Sequence, residues 1–230
     1  MTMYELYIAN KNYSSWSLRS WVLMREAGIE FKEHLIPFGG AAWKDFLELS
    51  PSGKIPCLAD GSTLVWDSLA IVEYLAERHR GVWPEEVAAR AWARSAAAEM
   101  HSGFSELRNR CSFSCGVRLR LNETPAALGR DIARLETLWC DGLARFGGPF
   151  LAASTFTAVD AFFAPVAYRI QTYGLELRPG AAAYARRLLE VPAMSQWYAA
   201  ALAESFRDAP HEAEMLEIAT VIEDLRAPAL

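Results

Sequence analysis

Several features are scarce or missing in this 230-residue chain, and each absence excludes a class of protein. The four cysteines, Cys57, Cys111, Cys115 and Cys140, form no CxxC pair and no metal-ligand spacing, so we expect no metal and a reduced, cytoplasmic setting. No apolar run reaches the ~18 residues of a membrane span, and the start "MTMYELYIAN" lacks a signal-peptide pattern. The net charge of -5 argues against nucleic acid as a partner.

Two adjacent serines in "NKNYSSWSLRSW" have no histidine nearby to act as a base. The histidines are scattered and the chain contains no GxSxG motif, so we do not expect a covalent serine mechanism. A serine at a helix N-terminus can instead donate a hydrogen bond to an anion, beside backbone N–H groups that also favour negative charge. The simpler interpretation is that Ser14 or Ser15 only caps the helix.

The first eighty residues alternate between strand and helix patterns. Period-2 alternation over residues 4–8 predicts a strand, helical spacing over 16–27 predicts a helix, and Gly28 is suited to end that helix. A second strand and a short helix follow, and then two runs joined at Asp60-Gly61, a hairpin signal. Asp67 and Ser68 open another helix. The predicted order is βαβαββα, forming a mixed four-stranded sheet.

After "RGVWPEE" the chain becomes rich in alanine and leucine, and we expect helices only. Thr124-Pro125 is a helix start, and Thr157 and Asp160 have the spacing of a capping box. Further helices are expected near 181–190, 192–205 and 211–226. The sequence therefore predicts an α/β domain over residues 1–82 followed by an all-α domain over residues 83–230.

Two later motifs have both a structural and a ligand-binding interpretation. In "SPSGKIPCLAD", Pro56 precedes a strand, and a cis Ile-Pro bond would leave the main chain of Ile55 free to pair with an extended ligand. An ordinary trans loop proline is the alternative. Asp67 and Ser68 either cap their helix or hold the ammonium and carboxylate of a zwitterionic ligand.

In this order, these motifs resemble the cytosolic glutathione transferases. The matching blocks are "NYSSWSLRSWVLMREAGI", "SPSGKIPCLADG", "LVWDSLAIVEYLAER" and "TFTAVDAFF", which together extend over nearly the whole chain. The first block is most similar to the serine-type zeta branch, whose pattern is Ser-Ser-Cys-Ser with an arginine two residues later. Arg19 fits that pattern, whereas Trp16 stands where the branch has cysteine. The resemblance implies a thioredoxin-like N-terminal domain, glutathione as co-substrate and no metal.

The resemblance also implies how glutathione would be held. Ser14 would donate a hydrogen bond to the thiolate, with Ser15 as the alternative. A free thiol has a pKa near ~8.5, and lowering it by about two units needs roughly 2.7 kcal/mol of preferential stabilisation of the anion. One hydrogen bond to a charged acceptor supplies about 1.5–3 kcal/mol and a helix N-terminus up to about 2 kcal/mol, so the two together suffice.

The remaining glutathione contacts are implied by the two downstream motifs. Ile55, in the block with Pro56, would pair its main-chain groups with the cysteinyl unit, and Lys54 would approach the glycine carboxylate. Asp67 and Ser68 would hold the γ-glutamyl end. By the same resemblance, the Thr157–Asp160 box is a structural cap of the helical domain.

Apolar side chains would hold a small electrophile beside the thiolate. The candidate walls are Tyr13, Trp16, Phe38, Trp43, Met100, Phe104 and Arg108. Apolar residues at helical spacing usually pack, so a role in the core or in a dimer interface is an equal alternative. The small residues of "ARSAAAEMHSGF" permit close approach of helices, and the resemblance implies a homodimer across this region.

The resulting expectation is a cytoplasmic detoxification enzyme that conjugates glutathione to a small hydrophobic or conjugated electrophile. A glutathione-dependent cis-trans isomerase of the maleylacetoacetate type is one alternative, which Trp16 weakens. A noncatalytic glutathione-transferase-like binding protein is the other. Residues 205–230 have a helical, mixed-charge pattern that fits a packed surface helix as well as a lid over the active site.

Overall fold

The computed structural model describes residues 3–228 and places a mixed sheet at the start of the chain. Its strands are β1 (Tyr4–Ile8), β2 (Phe31–Leu35), β3 (Cys57–Asp60) and β4 (Thr63–Val65). The helices among them are α1 (Ser15–Glu26), α2 (Ala42–Leu49) and α3 (Ser68–Ala76). The strand order is β2-β1-β3-β4, with β1 and β2 parallel and the other pairs antiparallel. The predicted βαβαββα arrangement is confirmed.

Local signals explain where these elements begin and end. Ser14 caps α1 by accepting the N–H of Ser17, and Gly28 follows the helix with φ +65°, a left-handed conformation that suits glycine. Gly61, with φ +59°, forms the hairpin turn between β3 and β4. Asp67 caps α3 through its side chain. The two caps and the two glycine turns define where these elements begin and end. As a result, the N-termini of α1 and α3 lie at the same end of the sheet.

The second half is mainly helical, and the expected fold class is confirmed. Its helices are α4 (Val87–Ser102), α5 (Ser105–Arg110), α6 (Ala126–Phe146), α7 (Ala158–Tyr173), α8 (Pro179–Leu189), α9 (Pro192–Ala203) and α10 (Ala209–Ile218). The predicted capping box at the start of α7 is present, with both of its reciprocal hydrogen bonds formed by Thr157 and Asp160. Helix α7 is buried along almost its whole length and packs against α1, α4 and α8.

The expectation that the second domain is all-α needs one correction. Strand β5 (Val117–Leu121) pairs antiparallel with strand β6 (Ala219–Asp224), and β6 occupies part of the stretch 211–226 that was expected to be helical. In β5 the apolar residues Val117 and Leu119 are buried while Arg118 and Arg120 alternate with them, which is a period-2 pattern. The pattern is short, and the pairing depends on a partner about a hundred residues away, so local periodicity alone did not predict it.

The packing of α1 sets the geometry of the site. Helix α1 contacts α7 and α9 of the helical half as well as α3 and β1 of the first half, so it lies where the two halves of the chain meet. Within residues 3–228, no helix combines the length and the apolar character needed to cross a membrane.

Candidate active site

A cavity of about 530 Å³ opens at the N-terminus of α1, within the size range of small-molecule sites. Nine of the residues singled out in the sequence line it: Tyr13, Ser14, Trp16, Phe38, Trp43, Lys54, Ile55, Pro56 and Asp67. Gly53 and His101 complete the lining. Three motifs that are more than ten residues apart in sequence thus meet at one surface.

Ser14 has the geometry of a hydroxyl donor at the mouth of a helix. Its Oγ lies 2.7 Å from Oγ of Ser17 and accepts the backbone N–H of Ser17 at 3.4 Å. Ser17 Oγ itself accepts the backbone N–H of Ala9 at 3.1 Å, so the Ser17 hydroxyl can donate its hydrogen to Ser14. In that arrangement the hydroxyl hydrogen of Ser14 is left for a ligand in the cavity. Capping and ligand binding are therefore compatible in this one side chain.

The Ile55–Pro56 peptide bond is cis, and the antiparallel ladder with β1 ends at Cys57. Ile55 lines the cavity, so its main-chain groups lie beside the ladder where an extended ligand could pair with them. Lys54 is exposed at the rim, and its backbone N–H donates to Oγ of Ser52 at 3.2 Å. The Lys54 ammonium forms no ion pair within the part of the chain that the structure describes.

Asp67 combines the capping role with a second contact. Its Oδ1 accepts the N–H of Leu69 at 2.9 Å, while Oδ2 lies 3.4 Å from Nε2 of His101. Ser68 is completely buried, and its Oγ has no hydrogen-bond partner among residues 3–228. The Trp66–Asp67 peptide bond is also cis.

His101, near the end of α4, was missed in the sequence because the scattered histidines gave no catalytic spacing. Burial lowers its pKa, the positive charges of Arg19 and Arg108 lower it further, and Asp67 opposes them. Its ring packs edge-on against Trp16, with the ring centroids 5.2 Å apart. In the sequence, the only local feature that distinguished His101 was its position as a polar residue at the end of a helix rich in small residues.

A second cavity, of about 430 Å³, shares Tyr13 and Trp16 with the first. Its other lining residues are Ser15, Arg108, Asn109, Ser112, Phe113, Arg169, His211 and Glu214. The two adjacent serines therefore face different cavities. His211 and Glu214 belong to α10, so the C-terminal helix forms one wall of this cavity.

Three of the expected site residues line neither cavity. Met100 and Phe104 are 1% and 6% exposed and belong to the hydrophobic core, which is the alternative that the sequence left open. Ser68 lies one residue beyond the lining residue Asp67 but is itself enclosed.

Arg19 and Arg108 pack on the ring of Trp16, and with Arg169 they form an arginine cluster, of which only Arg108 was predicted as a site residue. Cζ of Arg19 lies 4.2 Å from the Trp16 ring centroid and 4.9 Å from that of Phe162, and Cζ of Arg108 lies 4.9 Å from Trp16. Arg169 completes the group and reaches Ser15. Burial, with smaller contributions from the charges of Arg108 and Arg169, lowers the pKa of Arg19 to about 9. Arg169 lies on α7, some 150 residues away in sequence, which explains why sequence reasoning missed it.

No group of three or more His, Cys, Asp or Glu side chains suited to a metal ion occurs within residues 3–228. All four cysteines are free, and only Cys140 is exposed.

Residues 13–78 match the family model described as "Glutathione S-transferase, N-terminal domain". This segment is similar to the N-terminal domain of glutathione S-transferases. The chain is 26% identical over 185 residues to a probable maleylacetoacetate isomerase of Caenorhabditis elegans, covering 76% of this chain and 82% of that protein. It is 27% identical over 174 residues to the glutathione S-transferase-like protein OpS6 of Beauveria bassiana, covering 70% and 76%.

The fold is also that of known glutathione transferases. The theta class glutathione S-transferase from Xanthomonas axonopodis pv. citri, solved with glutathione bound, superposes with a TM-score of 0.63 at 24% identity, covering 86% of this chain and 98% of that one. The chain is thus similar to glutathione transferases in the sequence of its first domain and in its fold.

Proposed function

We propose that the protein is a glutathione transferase that binds glutathione in the first cavity and stabilises its thiolate with Ser14. The observation that carries this proposal is that one cavity gathers Ser14, Ile55 and Asp67 from three separate motifs. The domain match at residues 13–78 and the glutathione-bound structural neighbour support the same ligand. We extend the proposal to a domain division at residue 82, a homodimer, and a reduced compartment such as the cytoplasm.

The lining residues supply a complementary group for each part of glutathione. The main chain of Ile55 would pair with the cysteinyl unit, and the exposed Lys54 ammonium would attract the glycine carboxylate. Asp67, whose Oδ2 is not used in capping α3, would take the α-ammonium. The Ser68 hydroxyl, which has no hydrogen-bond partner among residues 3–228, would donate to the γ-glutamyl carboxylate.

Ser14 is favoured over Ser15 as the thiolate donor because of where the two side chains lie. Ser14 shares its cavity with Ile55 and Asp67, whereas Ser15 lines the second cavity beside Arg169. A hydrogen bond from Ser14 and the N-terminus of α1 together provide the roughly 2.7 kcal/mol that a two-unit drop in thiol pKa requires. The thiolate would then attack an electrophile held in the second cavity.

Glutathione binding tests the proposal most simply. Calorimetry should show binding by the wild type and a loss of about tenfold or more for Asp67→Asn, because the ammonium loses its charged partner. Asp141→Asn, an exposed carboxylate on α6, is the matched control and should bind like the wild type. If the wild type does not bind glutathione, the proposal fails.

Similarity to the isomerase relative favours a second candidate, a glutathione-dependent cis-trans isomerase. An activity panel separates the two, because a transferase forms a thioether from chloronitrobenzenes whereas an isomerase converts maleylacetone and returns glutathione unchanged. A protein that binds glutathione tightly and turns over neither class would be a noncatalytic binding protein.

A further inference from the structure

We propose that Glu204, at the C-terminal end of α9, is a positioning residue for the thiolate site. Its carboxylate holds the loop of residues 10–14, here called the Ser14 loop, and thereby sets the direction of the Ser14 hydroxyl. The inference rests on the proposed function, in which that hydroxyl stabilises the glutathione thiolate. It assigns a role in the site to the helical half of the chain, because Glu204 lies 193 residues from Lys11 of the loop.

The Glu204 carboxylate accepts two consecutive backbone N–H groups of the Ser14 loop. Its Oε1 accepts the N–H of Lys11 at 2.8 Å, and its Oε2 accepts the N–H of Asn12 at 3.3 Å. Neither N–H has another acceptor among residues 3–228. Lys11 is 6% exposed and Asn12 is completely buried, so water cannot readily replace the carboxylate. Two bonds to one ionised group fix the orientation of both peptide units.

The Ser14 loop transmits this orientation to the thiolate site through a tight turn. The carbonyl of Asn10 accepts the N–H of Tyr13 at 3.1 Å and that of Ser14 at 2.9 Å. Lys11 and Asn12 are the residues inside this turn, so their placement fixes the backbone of Ser14. Because a hydrogen bond weakens steeply as its angle departs from linear, a small rotation of the turn would weaken the bond from Ser14 to the thiolate.

Neutral contacts of Asn12 also attach the Ser14 loop to the helical half. Its Nδ2 donates to the carbonyl of Ala201, in the last turn of α9, at 2.6 Å, and its Oδ1 accepts the N–H of Gly116 at 3.0 Å. These bonds remain when Glu204 is replaced. A variant at position 204 should therefore keep the loop attached and change mainly the orientation of its peptide units.

The charged groups around Glu204 leave its carboxylate free to serve the backbone. Lys11 directs its ammonium to Glu33, and Arg207 donates to the main-chain carbonyl of Glu204 at 3.1 Å rather than to its side chain. Glu204 forms no ion pair in the part of the chain that the structure describes. Burial raises the pKa of Glu204, and the N–H groups of Lys11 and Asn12 oppose that rise by stabilising the charged form.

Replacing Glu204 by glutamine separates positioning from electrostatics, because the two act in opposite directions. Through space, removal of a negative charge favours a nearby anion and would lower the pKa of the bound thiol. Through the loop, the glutamine amide keeps one acceptor oxygen, but its NH₂ group cannot accept the second backbone N–H. The loop then loses its orientation, the bond from Ser14 weakens and the thiol pKa rises. A rise therefore identifies positioning.

Ultraviolet titration of glutathione bound to the protein measures this effect. Glu204→Gln should raise the thiol pKa by about 0.5–1 unit, since one oriented hydrogen bond to the anion is weakened. Glu204→Asp keeps the charge but is one methylene shorter, so it should give a smaller rise. Glu26→Gln is the matched control, because Oε1 of Glu26 accepts the N–H of Ala193 at 2.8 Å and joins α1 to α9 away from the Ser14 loop. It should leave the thiol pKa unchanged.

The pH profile of kcat/KM with a chloronitrobenzene provides a second readout. At pH values below both thiol pKa values, the wild type should exceed Glu204→Gln about threefold to tenfold, which is the pKa shift expressed as a fraction of thiolate. Above both values the thiol is ionised in either protein, and the ratio should approach one. KM for glutathione should stay close to the wild-type value, because Ile55 and Asp67 are unchanged. Loss of structure alone would instead lower the rate at every pH.

The possible outcomes separate this proposal from the proposed function. If the wild type lowers the thiol pKa and Glu204→Gln leaves it there or lowers it further, the positioning role is refuted and the transferase stands. An equal rise in Glu26→Gln would also refute it, because any loosening between α1 and α9 would then suffice. Should Glu204→Gln fail to fold, Glu204→Asp decides by the same criterion. If the wild type itself does not lower the thiol pKa, the proposed role of Ser14 fails, and the role of Glu204 fails with it.

Discussion

Replacing Asp160 by alanine should destabilise the protein more than any substitution of an exposed side chain. Its fully buried carboxylate accepts four hydrogen bonds: from the N–H of Leu151 at 3.1 Å, the N–H and Oγ1 of Thr157 at 2.9 and 3.2 Å, and the hydroxyl of Tyr184 at 2.7 Å. Each donor left buried without a partner costs about 1–3 kcal/mol. The four donors share one acceptor group, so their costs are not additive, and we expect a loss of about 3–5 kcal/mol.

Urea denaturation followed by tryptophan fluorescence measures this loss. The midpoint should fall while the slope stays close to that of the wild type, because the same surface is exposed on unfolding. Asp160→Asn keeps one acceptor oxygen and should cost less, about 2 kcal/mol. Asp45→Asn, an exposed carboxylate, should remain within about 0.5 kcal/mol of the wild type. If Asp160→Ala is as stable as the Asp45 variant, the carboxylate does not hold the start of α7.

Two further predictions concern the C-terminal wall of the second cavity. Burial holds the pKa of His211 below its unfolded value of about 6.5, so the unfolded chain binds more protons and the wild type loses stability as the pH falls through that value. The stability difference between the wild type and His211→Gln, measured in urea from pH 7.5 to 5.5, should therefore shrink; a constant difference would contradict this. Glu212 accepts the hydroxyl of Tyr13 at 2.5 Å and pairs with Arg226, so Glu212→Ala should cost about 1–3 kcal/mol and raise KM for the electrophile more than for glutathione. If the KM of Glu212→Ala equals that of the wild type for the electrophile and also for glutathione, Tyr13 does not need its hydrogen bond to Glu212.

Local patterns predicted most of the first half of the chain. The capping serine Ser14, the turn at Asp60-Gly61 and the cap at Asp67 all act within a few residues, so their effects can be read from the sequence. The capping box at Thr157 belongs to the same class of short-range signal, and it was predicted as well. These features fix where the elements begin and hence which motifs meet in the first cavity.

Features that depend on distant partners were not predicted. Strand β6 pairs with β5 across about a hundred residues, and neither strand has a pattern long enough to stand out from helical surroundings. Arg169 reaches Ser15 only because α7 packs against α1. The C-terminal segment lies over the second cavity through His211, a contact that composition could not indicate.

The role of Trp16 became clear only in three dimensions. In sequence it is a departure from the zeta-branch pattern, with an aromatic ring in place of a small thiol. In the structure its ring lies between the two cavities and contacts Arg19, Arg108 and His101. A ring in this position helps to hold the arginine cluster beside the thiolate site, since cations are attracted to aromatic faces.

Ultraviolet titration of the glutathione thiolate in the complex tests the role of Ser14 most directly. The wild type should titrate about two units below the free thiol pKa of ~8.5. Ser14→Ala should raise that pKa by at least one unit, whereas Ser15→Ala and the exposed control Ser95→Ala should leave it near the wild-type value. If Ser14→Ala leaves the thiol pKa unchanged, Ser14 does not stabilise the thiolate.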